Sequence, residues 1–305
     1  MKKSTQSIFK EKSHIVASKR LFLSSLSIEN TDVQDYTLNV DLKHSSILAE
    51  ASIDDINYFN IRNWSGQSDM GAPPQFSLES LNGLGKYSWL RWLNQIIRDY
   101  RYFTWQGFYD DVNLLDDLKY LHILEKCSVE NVLGYSPFSR HYISGHAFTA
   151  NERWLRYIYF CGVISSHDLL NSSKLTWIDI GPFYGGLQYV VNSYLDLPLT
   201  NVLVDFNHQL CRSFILLSYH FPQHTHFLFL GKGAFVDIQT GSKYMFSVLP
   251  DKCFVYCPAH LYKDFDTSLD IAPNLFTNFF SLIKCYFSNH LNTAFRGTFL
   301  NLCCL

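Results

Sequence analysis

Apolar positions recur along this chain with two different spacings, and the point where one gives way to the other divides it. Up to about residue 133 the spacing is helical. Trp89, Trp92, Leu93, Ile96 and Ile97 form one apolar stripe, and Leu114, Leu115, Leu118, Leu121, His122 and Leu124 form another. Residues 66–74 carry Gly, Ser and two prolines and read as a loop. Asp110, Asp111, Asp116 and Asp117 read as solvated charges or as acids at helix N-termini. Residues 134–145, with Pro137 and two glycines, read as a linker, so the chain is expected to divide into a helical region, 1–140, and a second region, 141–305. The helical region would cover an acceptor pocket or serve an interaction. Arg140, His141 and His146 lie in or beside that linker and read as surface or hydrogen-bonding residues.

Beyond the linker the periods alternate. An amphipathic run at 151–160, with Trp154, Leu155, Ile158 and Tyr159, predicts a helix. Strand, glycine turn and helix follow at 175–180, 181–186 and 187–194. A second strand at 201–205 leads into a helix at 210–219 that Pro222 ends. Further strands are expected at 226–230, 254–257 and 275–280, with turns at 231–233, 240–242 and 264–268, and 298–302 as at most one last strand. Alternation of this kind predicts an α/β fold with a mainly parallel sheet.

Composition narrows the classes. At 305 residues the chain can bury a sizeable core in one to two domains. Lys plus Arg at 25 against Asp plus Glu at 27 leaves no field to gather a phosphate backbone, so nucleic acid is not an expected partner. The 25 Phe and 19 Tyr supply core volume and flat surfaces on which a sugar or an adenine can stack. Residues 1–20 are polar and basic without the apolar run of an export signal, and the eight cysteines show no disulfide framework, so reduced thiols in a cytoplasm are expected. Cys253 and Cys257 are spaced for neither a zinc knuckle nor a redox pair. His220, His224 and His226 lack a carboxylate and a helical pairing, so no metal site is expected. No apolar run approaches the length of a membrane span.

The chemistry centres on Trp-Ile-Asp-Ile-Gly-Pro-Phe-Tyr-Gly-Gly, residues 177–186. Glycines between a strand and a helix let a ligand approach the backbone and permit positive φ. The order Asp-x-Gly-x-x-x-Gly-Gly differs from the dinucleotide fingerprint because an acid comes first. Asp179 suits a cationic amino group and would repel a phosphate, while Asp205, at the tip of the next strand, suits the two hydroxyls of a ribose. An ammonium and a ribose together describe S-adenosylmethionine, with Asp179, Gly181, Gly185, Gly186 and Asp205 as the expected binding set. An α/β turn with no ligand remains the plainer alternative.

The segments WIDIGPFYGGLQYVVNSYLDLP, NVLVDFNHQLCRSFILLSYHFP and LFTNFFSL resemble the sugar O-methyltransferase family of bacterial polysaccharide clusters, over residues from about 135 onward. The resemblance implies a Rossmann-like class I methyltransferase domain, transfer of a methyl group to a sugar hydroxyl, and a small-molecule or glycan acceptor. It places Asn278 and Ser281 at the fourth strand's carboxyl end, facing the methyl group. The chain departs from the family at Phe183, in place of a glycine, at Phe206 and Asn207, in place of Leu-Pro, and at Lys284 and Cys285, in place of Glu-Met. With that Glu replaced, His260 becomes the candidate base beside Asn278. The C-terminal hairpin of such domains is expected to be missing. The same departures suit a second reading, a non-catalytic relative that keeps the sheet as a scaffold or partner-binding module.

Overall fold

The computed structural model describes residues 115–132, 139–150, 152–166, 175–271, 275–278 and 298–300. The Trp89 stripe, the loop at 66–74, Asp110, Asp111, Ser281, Lys284 and Cys285 lie outside them. The described residues up to Ser166 belong to one compact unit and those from Leu175 to another.

In the first unit, α1 (Leu118–Cys127) starts at Asp117, whose side chain accepts from Lys119 N at 2.8 Å. Asp116 accepts from Ser144 N at 3.1 Å, so both acids satisfy backbone donors. The buried face of α1 is Leu121, Ile123, Leu124 and Cys127, whereas Leu118 is 66% exposed and His122 is exposed. The stripe read from the sequence is therefore rotated away from its true centre. From Ser139 onward the expected linker is instead part of a hairpin. β1 (Ser139–Ile143) pairs antiparallel with β2 (His146–Ala150), and Ser144 at φ 48° and Gly145 at φ 79° make the two-residue turn between Ile143 and His146. A boundary at 140/141 would cut β1, which carries Arg140 and His141. The helix expected at 151–160 is α2 (Glu152–Ser165). It packs on α1 where Gly162 meets Tyr120, since a Cβ there would collide with the ring.

The second unit is an α/β layer structure around one mostly parallel sheet. Its strands are β3 (Leu175–Ile180), β4 (Leu199–Asp205), β5 (Thr225–Gly231), β6 (Ala234–Asp237), β7 (Lys243–Met245), β8 (Cys253–Pro258), β9 (Leu275–Asn278) and β10 (Thr298–Leu300). Their order across the sheet is β10-β9-β3-β4-β8-β5-β6-β7, with only β6 and β7 antiparallel to their neighbours. Every residue of β3, β4 and β8 is buried, as central strands covered on both faces require.

Helices α3 (Gly186–Tyr194), α4 (Asn207–His220) and α5 (Tyr262–Ser268) flank the sheet. Ile178, Ile180, Val202, Val204, Val255 and Cys257 point to one face, where Tyr262 and Phe265 of α5 and the following Leu269 close the core. Alternation sends His226 and Tyr256 to the other face, against Phe214 of α4. Two features depart from the expected pattern. Residues 264–268 form most of α5 rather than a turn, because Tyr262, Phe265 and Leu269 recur at helical spacing. The antiparallel pair β6–β7, which short strands left unread, follows β5 after left-handed turns at Gly231, Lys232 and Gly233. Lys232 N donates to Asp264 of α5 at 2.6 Å, which ties this turn to the helix.

Candidate functional site

The chain leaves β3 toward β4 on one side and returns to pair β9 on the other. That reversal puts a topological switch point between the carboxyl ends of β3 and β9, where open α/β sheets take ligands. Register fixes which residues meet there. Ile180 stands between Val204 and Asn278, and Asp205 stands opposite Pro258. Asn278 is thus the last residue of β9, level with the start of the glycine turn.

The turn itself is held from β4 and α4. Gly181 (φ 76°) donates to Val204 O at 2.9 Å, and Gly185 (φ 83°) donates to Pro182 O at 3.1 Å. Asp205 Oδ2 accepts from Phe183 N at 3.1 Å, its Oδ1 accepts from Phe206 N at 2.7 Å, and Ser213 Oγ donates to Phe183 O at 2.9 Å. Gly186 opens α3, and Gly185 is its N-cap residue.

Phe183 has φ 64°, the left-handed region that a glycine enters freely and a phenylalanine does not. Its ring is half-buried, edge-on to Tyr184 at 6.5 Å. Phe183→Gly should therefore change stability by less than about 1 kcal/mol, strain relief of ~1 kcal/mol offsetting the lost ring burial and the added chain entropy. Urea denaturation that shows the 3–5 kcal/mol loss of a core Phe truncation would contradict this.

Asp179 lies one residue short of the end of β3 and is 1% exposed. Its Oδ1 accepts from Thr277 Oγ1 at 2.6 Å and its Oδ2 from Gln188 Nε2 at 2.5 Å, while Trp177 Nε1 donates to Thr277 Oγ1 at 2.7 Å. Burial pushes the carboxyl up to about 7, and the two side-chain hydrogen bonds act in the opposite direction. Gln188 is fully enclosed, and its Oε1 has no hydrogen-bond partner among the described residues. None of these partners was singled out in the sequence. Gln188 was legible as a lone polar residue in an apolar first turn of a helix. Thr277 gave no such signal.

His260 lies in a short 3-10 turn (Ala259–Leu261) after β8, half-buried. With β4 and β3 between, β8 is three strand spacings, about 14 Å, from β9. His260 therefore stands on the Asp205 side of the site and is not brought together with Asn278. His226 is fully buried in β5. Its Nε2 lies 3.3 Å from Phe221 O, which only accepts, so Nε2 carries the proton and Nδ1 accepts from Tyr256 OH at 2.9 Å. Cys253 and Cys257 lie buried in β8 as free thiols. Among the described residues no group of three His, Cys, Asp or Glu is placed to hold a metal ion, and no helix is long and apolar enough to cross a membrane.

No protein-family model, curated protein or solved structure matches this chain.

Proposed function

We propose that this chain binds S-adenosylmethionine across the carboxyl ends of β3, β4 and β9, and that it is a Rossmann-like methyltransferase acting on a sugar hydroxyl in the cytoplasm, in assembly of a surface polysaccharide. The observation that carries the reading is the turn at 181–185. Phe183 keeps a glycine's backbone conformation, with the Asp205 carboxylate beneath it, at the switch point of the sheet. The acids fit the proposed ligand better than a phosphate ligand. Asp205 would take the ribose hydroxyls, Asp179 the amino end, and Gly181, Gly185 and Gly186 the close backbone approach, with Asn278 at the neighbouring strand end. Bound S-adenosylmethionine supplies an electrophilic methyl group on sulfur.

Calorimetric titration with S-adenosylhomocysteine tests the reading, and absence of heat at millimolar ligand would overturn it. Competition by NAD would move the reading to a dinucleotide oxidoreductase. Asp205→Ala is expected to weaken binding by about 1.5–3 kcal/mol, the range for hydrogen bonds to a charged group. Unchanged affinity in a folded variant would leave Asp205 serving only the turn. A gain in affinity in Phe183→Gly would mean that the ring stands in the ligand's path.

One observation favours the non-catalytic scaffold. Both Asp179 oxygens already accept from side chains, and the residue is enclosed. The same titration separates the two readings.

A further inference from the structure

Two unmet demands meet at one place beside the glycine turn. Asp179 is buried, and its carboxylate accepts only from neutral donors, Thr277 and Gln188. Gln188 is fully enclosed, and among the described residues its Oε1 has no donor. The residues around Asp179 are Leu203 opposite on β4, Thr277 opposite on β9 and Gln188 on α3, none of them ionisable. Burial raises its proton affinity, and the hydrogen bonds from Thr277 and Gln188 lower it. Asp205, two residues beyond Leu203 on β4, is tied to the turn by Phe183 N.

A buried carboxylate without a cation and a buried amide oxygen without a donor each cost free energy. A proton answers only part of this. With Asp179 protonated, its O–H can donate to Oε1 only once the amide has turned, and Nε2 then gives up its bond to the carboxyl. A primary ammonium answers both demands, because it brings one positive charge and three N–H donors. The position also suits a ligand. Gln188 is in the first turn of α3, and helical side chains lean toward the helix N-terminus, which brings the amide back beside the turn that starts two residues after Asp179.

We propose that Gln188 is a ligand-binding residue whose amide oxygen, with the Asp179 carboxylate, receives the N–H groups of a ligand ammonium. The inference rests on the methyl-donor reading and assigns the amino acid end of that donor to this pair. The proton leaves Asp179 for the buffer, and the ammonium takes its place as the positive partner. Gln188 keeps Nε2 on the carboxylate and gives Oε1 to the ligand.

The test is calorimetric titration at pH 6, in two buffers of different ionisation heat, with two nucleosides. S-adenosylhomocysteine carries the ammonium, and 5′-methylthioadenosine lacks the amino acid end. The native chain is expected to bind both, releasing close to ~1 proton with the first and none with the second. Gln188→Met should lose about ten- to a hundredfold in affinity for S-adenosylhomocysteine and leave 5′-methylthioadenosine within about twofold. Binding of S-adenosylhomocysteine without proton release overturns the inference alone, as does a variant that weakens both nucleosides equally or neither. Failure of the native chain to bind either nucleoside overturns the methyl-donor reading, and the inference falls with it. Should Gln188→Met fail to fold, the proton count on the native chain decides.

Discussion

At pH 8 the Asp179→Asn chain is expected to be more stable than the native chain, and near pH 4 the two should differ little. The Asp179 carboxyl is raised from 3.8 to about 7 by burial, so the folded chain holds a proton that the unfolded chain has released. Its contribution to stability is full below the unfolded value and is lost as pH rises through about 7. At 1.36 kcal/mol per pH unit the loss approaches ~4 kcal/mol above neutrality. Asparagine carries no charge, and its amide can donate to Gln188 Oε1 once that side chain turns, the same exchange that a protonated Asp179 makes. Urea denaturation of both chains at pH 4 and pH 8 measures the difference. A native chain as stable relative to Asp179→Asn at pH 8 as at pH 4 would mean that Asp179 stays ionised without cost.

Gly185→Ala should act in the opposite sense, destabilising by about 2–4 kcal/mol. Gly185 sits at φ 83°, where an L-residue costs roughly 1–2 kcal/mol. A Cβ there would also lie 3.0 Å from Leu217 Cδ1 and 3.4 Å from Ser213 Cβ, on α4. Leu217 is fully buried, so it cannot swing clear, and overpacking of this kind costs about 1–3 kcal/mol. Thermal or urea unfolding reads the loss directly, and a change below about 1 kcal/mol would show that α3 and α4 separate easily. The contrast with Phe183 is informative. Both positions have a left-handed backbone in the same turn, but Gly185 faces a neighbouring helix that leaves no room for a side chain.

What the sequence made legible, and what it did not, follows from the range of the interactions. The strand at 175–180 was read to its observed bounds, and β4, α3 and α4 to within a few residues, because each carries its own period and its own punctuation. Ser144-Gly145 was also a turn signal, yet among other loop residues it read as linker, and the hairpin around it was missed. β6 and β7 are too short to show a period, and only pairing, of β6 with β5 and of β7 with β6, makes them strands. At the site, Asp179, Asp205 and the glycines were legible from spacing. The state of Asp179 was not, since Thr277 lies 98 positions away in the chain and reaches it only through the β3–β9 pairing.

The place of β8 has a consequence for how the chain is made. It sits between β4 and β5, although both precede it in sequence, so those two strands have no direct partner in each other. A growing chain that has emerged only as far as β7 holds the β5–β6–β7 ribbon and the β3–β4 pair as separate pieces, each with a bare edge. The sheet closes only when Cys253–Pro258 arrives to fill the gap. Folding of this unit is therefore committed late in synthesis and runs through long-range pairing, which makes it slow and leaves the partly made chain exposed to aggregation.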